Sequence, residues 1–219
     1  RQMMQQTIFA PSGPPSDALE VRPVPRSVAM SVSIDKHYLH REAPVEVSMG
    51  LWQGHDLFGV CILGAPSSAP LRSGLCGPKH CMDVIELNRL WVDDRAPKNS
   101  ESRLIAATLR ASPRPIVVSY ADPPFGHVGT VYQATNWIYT GLSARRWEWS
   151  VDGVDLHSQT LADRYMATEI REKYGDRFAM RLRPRKHRYV FFACGQRERR
   201  RLRKLLRYEQ QPYPKRSDS

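Results

Sequence analysis

Residues 119–137, SYADPPFGHVGTVYQATNW, hold Ser119, Tyr120, Asp122, His127, Tyr132 and Asn136 within one short stretch. These side chains can pass protons or orient a nucleophile. They follow IVVSY (116–120), an apolar run that reads as a buried strand. The carboxyl end of a sheet strand is where ligands collect in α/β folds. Gly126 and Gly129 give the backbone beside them freedom to turn. Asp122 fits three roles on type and spacing: a general base, a metal ligand, or the cap of a turn. The candidate catalytic set is Ser119, Tyr120, Asp122, Tyr132 and Asn136.

A second stretch fits an anion. VIELNRLWV (84–92) reads as a strand, DDRAPKNSES follows as a loop, and Leu104, Ile105, Thr108 and Leu109 fall at helical spacing over 100–111. A helix start presents free N–H groups and a positive dipole end, which seat a phosphate without a P-loop lysine. Arg95 and Lys98 add charge, and Asn99 or Ser100 can cap the helix. The glycine patterns of dinucleotide-binding folds and P-loops are absent. The competing reading is a capped helix with surface charges.

These two stretches need a sheet to position them. Residues 43–50 and 57–63 read as a β-hairpin turning at Gly54, and 84–92, 100–111 and 116–120 as a right-handed crossover between parallel strands. A short helix is expected within 126–137 and strands at 138–141, in WEWSVDG and at 188–193. Further helices are expected over 158–174 and in QRERRRLRKLLRY, the latter anchored only by Leu202, Leu205 and Leu206. Residues 64–82 read as a Gly/Pro/Ser loop. Five prolines within 11–25 exclude a helix or central strand there, so 1–25 is expected to be a mobile arm. The sum is one α/β domain with a mixed sheet over 26–195 and a basic helix and tail over 196–219.

The charge is uneven. The chain has 219 residues and a net charge of +11, yet residues 177–207 hold 13 basic residues against one acid, Glu198. A uniform basic coat is thereby excluded, and a near-neutral body carrying a polyanion-facing element is expected. The expected contacts are Arg185, Lys186, Arg188, Arg197, Arg199, Arg200, Arg201, Arg203, Lys204 and Arg207. Six neutralised phosphates would give a salt slope of about −5. No apolar run is long enough for a membrane span. The four cysteines are too sparse for a disulfide scaffold, and LCGPKHC lacks the spacing of a zinc site. With no export-type leader in view, the expected place is the cytoplasm.

ELNRLWVDD, the small-residue loop and helix after it, VVSYADPPFGHVGTVYQATNWIYTG, RYVFFA, the basic helix and QPYPK together resemble the phage Mom family, in order from roughly His37 to Lys215. That resemblance implies a fold related to the GNAT acyltransferases. It also implies an enzyme that adds a carbamoylmethyl group to the exocyclic amine of adenine in double-stranded DNA, protecting it from restriction in a bacterial host's cytoplasm. It maps the donor site onto Leu90, Val92, Arg95, Lys98, Ser100 and Arg103, with an acyl donor such as acyl-coenzyme A. The loop reads RAPKNSES where GNAT loops carry R/Q-x-x-G-x-G/A, so the donor's identity stays open. For that chemistry Asp122 is the candidate to accept or orient the amine proton, Tyr132 to donate a proton to the leaving group and Ser119 to orient substrate. Fe(II) on His37, Tyr38 and Asp122 is a further expectation of the family. The segment 142–184 becomes an insertion that contacts DNA. A target base must leave the duplex before its amine can react, and Trp137, Tyr139, Trp147 and Trp149 are candidates to stack it. The alternatives are an N-acyltransferase acting on a protein or small amine, and a non-catalytic nucleic-acid-binding protein. Oligomeric state is not legible.

Overall fold

The computed structural model describes residues 18–37, 42–66, 68–123, 126–154, 156 and 158–215. A sheet of seven strands runs through it. In chain order these are β1 (Glu20–Pro23), β2 (Val47–Gln53), β3 (Asp56–Gly64), β4 (Val84–Val92), β5 (Ile116–Ala121), β6 (Ile138–Leu142) and, after a separate ribbon of β7 (Trp147–Val151) and β8 (Phe178–Leu182), β9 (His187–Phe192). The spatial order is β1-β2-β3-β4-β5-β9-β6. All neighbours are antiparallel except β4 and β5, which the helix α3 (Ser100–Arg110) joins as a parallel pair. The mixed α/β sheet is as expected.

Alternation along the strands sends side chains to two cores. Leu87, Val117, Ala121 and Tyr189 point to the face carrying Leu104, Ile105 and Leu109 of α3. On that face also lies Tyr132 of α4 (Thr130–Ala134). Val84, Ile116, Val118, Val190 and Phe192 point to the other face, with Leu71 and Leu75 of α2 (Ala69–Cys76) and Leu202 of α7 (Gln196–Leu205). The helix α1 (Arg26–Asp35) covers Val60 and Ile62 of β3 through Ala29. Two helices, α5 (Ser158–Arg164) and α6 (Ala167–Tyr174), pack Leu161 and Ile170 against Val151 of the ribbon in a small core of their own.

Several expectations change. The arm stops short of residue 25: Leu19 is buried and β1 pairs with β2, Glu20 to Trp52 and Pro23 to Met49. An edge strand has one side free of ladder bonds, so it accepts a proline; residues 1–17 lie outside the described residues. The 64–82 loop contains α2 and a 3₁₀ turn, Pro78–Asp83. Pro70 sits in the first helical turn, where no N–H is needed, and Ser68 caps Leu71 N–H at 3.4 Å. The single helix over 158–174 is two, broken at Met166, whose N–H is capped by Glu169 at 2.7 Å. Strand β8 is an addition to the expected elements. The C-terminal tail is a strap. Gln211 N–H bonds Tyr139 O at 2.9 Å along the edge strand β6, and Tyr213 hydroxyl bonds Trp137 O at 2.6 Å. This covers an edge that would otherwise offer unpaired backbone groups.

Candidate active site and basic face

Strands β4 and β5 open like a V. Their pairing runs only from Val84–Ile116 to Glu86–Val118. Beyond it β4 stays with β3 and β5 stays with β9. The register of β3 on β4 skips Asn88, passing from Ile62–Arg89 to Leu63–Leu87. Such a bulge bends its strand, here where the two strands part. Separation leaves the Leu87 carbonyl facing β5 without a backbone partner from it. Ser119 supplies one, its Oγ donating to Leu87 O at 3.0 Å. The same Oγ lies 2.8 Å from Tyr132 Oη. A hydroxyl has one proton to give, so with Ser119 donating to Leu87 the tyrosine donates to Ser119. Both residues are buried. Tyr132 is seated by stacking, 5.0 Å from the Trp137 ring and 5.2 Å from Tyr189. The loop behind it needs Gly129: its φ is 79°, and a Cβ there would stand 2.4 Å from the Tyr189 ring.

The expected catalytic set is split by the sheet. Ser119 and Tyr132 lie on the α3–α4 side, and Tyr120 alternates to the other, packed against the α2–α7 core. Burial, then the Glu86 carboxylate, pushes the Tyr120 hydroxyl well above its ordinary range, so it keeps its proton. Asn136 is an exposed turn residue with φ 60°, a left-handed conformation that asparagine tolerates. It makes the turn between α4 and β6. Asp122 closes β5. It is 6% exposed and its carboxylate is paired with Lys186 Nζ across the β5–β9 ladder. Lys186 therefore serves Asp122, where a DNA contact was expected. The partnership was invisible in the sequence: residue 122 faces residue 186 only because Ala121 pairs with His187.

At the end of β4 the loop folds on itself. Asp93 Oδ1 accepts the Arg95 backbone N–H and its Nε, each at 2.9 Å, and Arg95 Nη2 meets Oδ2 at 3.0 Å. These bonds hold the Asp93 carboxyl down at about 2. The sign follows: the folded value lies below the ordinary 3.8. The pair therefore contributes fully above that value and is lost as pH falls toward the folded one. The pair is exposed, so Asp93→Asn should cost under about 1 kcal/mol at neutral pH and nothing measurable near the folded value; denaturant melts across acid pH check it. Asn99 stands at the helix start in a left-handed conformation, φ 70°, without a side-chain cap bond. The Ser100 hydroxyl bonds Pro97 O at 2.6 Å. Neither caps α3 through its side chain as expected, which leaves first-turn N–H groups open to a ligand. A hollow of about 240 Å³ lies there, lined by Leu19, Pro97, Lys98, Asn99, Ser100 and Arg103. Lys98, Ser100 and Arg103 of the expected donor site thus converge. Arg95 is spent on Asp93, and Leu90 and Val92 pack against the core. Leu19 is the addition; the sequence placed it in the arm.

The iron expectation finds no support among the described residues. Among the described residues no three His, Cys, Asp or Glu side chains stand together in a metal-binding group. His37 is buried at the end of α1, Tyr38 lies outside the described residues, and Asp122 already faces a lysine cation. An ammonium against the carboxylate is the wrong neighbour for a divalent ion, so Asp122 as it is paired here does not fit Fe(II).

The basic residues divide by job. Arg188 is 7% exposed; its Nε and Nη2 bond Thr140 Oγ1 and O at 2.9 and 3.0 Å, and its guanidinium lies 3.6 Å from the centre of the Tyr208 ring. Arg199 bonds Phe192 O and Cys194 O at 3.1 and 3.2 Å. Arg185 bonds Ser143 O at 2.6 Å and Leu142 O at 3.3 Å. Arg201 is held by Glu198 and Arg203 by Gln210. Arg207 passes beside Gly77 and gives its backbone N–H to Leu75 O at 2.8 Å. Arg188 and Arg199 are therefore braces where phosphate contacts were expected. Burying Leu202 turns Arg197, Arg200 and Lys204 outward as one exposed stripe at helical spacing. Arg188→Ala should cost about 2 kcal/mol or more in unfolding free energy, since it leaves buried acceptors bare, yet leave the salt slope of DNA binding unchanged. Melts and salt titrations read the two separately.

The aromatic candidates divide as well. Trp137 and Tyr139 are core, Trp149 is half-buried, and Trp147 is exposed. No described helix is long and apolar enough to cross a membrane.

A family model, the Mom protein family, matches residues 18–215. The methylcarbamoylase Mom of Escherichia phage Mu is 30% identical, covering 91% of this chain and 85% of its own. Among solved structures, an N-acetyltransferase of Staphylococcus aureus is similar with a TM-score of 0.42 at 9% identity, covering 80% of this chain and 97% of its own. A GNAT family acetyltransferase of Elizabethkingia anophelis with acetyl-CoA bound gives 0.42 at 10%, covering 80% and 99%.

Proposed function

Because the chain belongs to the Mom protein family, we propose that it modifies adenine in double-stranded DNA, transferring a carbamoylmethyl group to the exocyclic amine. The observation that carries this reading is the V between β4 and β5, with the Asp122–Lys186 pair at the carboxyl end of β5. An adenine amine is a poor nucleophile because its lone pair is shared with the ring, so it needs an electrophile held close and aligned. The V supplies a slot for that electrophile. As the new N–C bond forms and the donor's bond to its leaving group breaks, Asp122 accepts the amine proton. Lys186 holds the carboxylate in place. The Tyr132–Ser119–Leu87 chain braces the slot's wall. The Tyr132 hydroxyl, whose proton rests on Ser119 in this arrangement, is the candidate to give it up to the leaving group.

A donor that carries phosphates would set them at the α3 start, Lys98, Ser100 and Arg103, with its leaving group on the methylene carbon that the amine attacks, since attack at a thioester carbonyl would give an amide instead. DNA would lie along the Arg197, Arg200 and Lys204 stripe and the inserted ribbon, and the work would be done where the DNA is, in the host cytoplasm. Plasmid recovered from cells making the chain should resist restriction endonucleases that cut at adenine-containing sites. Full cleavage in a host that accumulates folded protein contradicts the proposal. An acyltransferase acting on protein or small amines predicts the same full cleavage with donor consumption.

A further inference from the structure

The ribbon of β7 and β8 has one apolar face. Trp147 pairs with Leu182, Trp149 with Met180 and Val151 with Phe178, and residues directly opposite in a ladder share a face. At the far end this face is covered: Val151 packs with Leu161 and Ile170, and Trp149 meets Phe178 edge-on at 5.6 Å. At the end nearer the main sheet the cover stops. Trp147 is 64% exposed, Met180 46% and Leu182 44%. A tryptophan and leucine side by side in water are an interaction signal, whereas a lone exposed leucine is not.

The surroundings say what they fit. The chain enters the ribbon through Arg145 and Arg146 and leaves through Arg183 and Arg185. The ribbon's acids are answered, Glu148 by Arg183 at 3.8 Å and Asp152 by Arg181. Arg183 is taken by Glu148 and Arg185 by the Ser143 and Leu142 carbonyls. The exposed Arg145 and Arg146, the latter touching the Ser68 hydroxyl at 3.3 Å, are therefore the cations beside the tip. A flat aromatic tip beside guanidiniums matches a base step flanked by phosphates. A lipid surface would instead ask for a broader apolar face. The tip is also tied to the site. Ser143 N–H bonds Lys186 O and Arg183 N–H bonds Arg146 O, each at 2.8 Å. The segment that carries Trp147 is thus stapled to the residue that pairs with Asp122.

We propose that Trp147, backed by Leu182, is a stacking wedge that enters the duplex and fills the place an extruded adenine vacates. This rests on the DNA reading above. Aromatic stacking on a base tolerates any sequence, because every base has a π-face. The wedge would therefore lower the cost of extrusion without choosing the site.

The test uses the full chain and two labelled duplexes of one sequence, fully paired or with a single unpaired adenine, titrated by fluorescence anisotropy at several salt concentrations. The wild type should prefer the unpaired adenine by about tenfold. Trp147→Ala should bring the ratio close to unity with the salt slope unchanged, and Trp147→Phe should keep most of it. A preference that survives Trp147→Ala overturns the wedge while DNA binding stands. Failure of the wild type to bind either duplex at low salt overturns the DNA reading itself, and the wedge with it.

Discussion

Asp122→Asn should lower adenine modification by about 10²–10⁴-fold, the usual worth of a positioned general base, and leave the protein folded and retained on DNA. The amide keeps the carboxylate's shape but cannot take the proton. It also leaves the partly buried Lys186 without its counter-charge, so stability should fall by about 1–3 kcal/mol. Lys186→Gln separates the two effects: the carboxylate remains and only its fixing cation goes. We expect an intermediate loss of modification from it. Modification, melting and DNA retention measured together decide the role. If Asp122→Asn loses retention in step with modification, the residue is structural.

Replacing Arg197, Arg200 and Lys204 together with Gln should weaken DNA binding on the order of 10²-fold at 0.1 M salt and reduce the log–log salt slope by about 2.7. These three face solvent on α7 and make no ion pair among the described residues. Their neighbours differ. Arg199 ties α7 to the end of β9, and Arg201 is engaged by Glu198, so replacing those would confuse unfolding with lost contacts. The triple variant should melt as the wild type does. A slope unchanged in the triple variant moves the DNA to another face.

What was legible in the sequence follows its strongest periodic signals. Strand β4 begins and ends where its apolar run does, and β5 runs one residue further than read. Both are buried and bounded by turn residues. Helix α2 was hidden by Pro70 and Gly74, residues that usually break helices. The proline stands at a helix start, and Gly74 is needed because Tyr208 comes within 2.9 Å of where its Cβ would be. The break at Met166 had no glycine or proline to announce it. The site was half legible. Residue types marked Ser119, Tyr132 and Asp122, but period two also splits Tyr120 from Ser119. The basic count was right in sum and wrong in use, because charge alone does not tell an arginine that reaches solvent from one that braces a carbonyl. Only the burial of Leu202 and the stacking of Arg188 on Tyr208 make that distinction.

The central claim is that this chain alters adenine in DNA. Its most direct test is the nucleoside composition of plasmid from cells making the wild type beside plasmid from cells making Asp122→Asn. Digested to nucleosides and weighed by mass spectrometry, the wild-type plasmid should contain a deoxyadenosine heavier by one carbamoylmethyl group, and the variant plasmid should lack it. Unmodified deoxyadenosine in both, with folded protein present, would contradict the account.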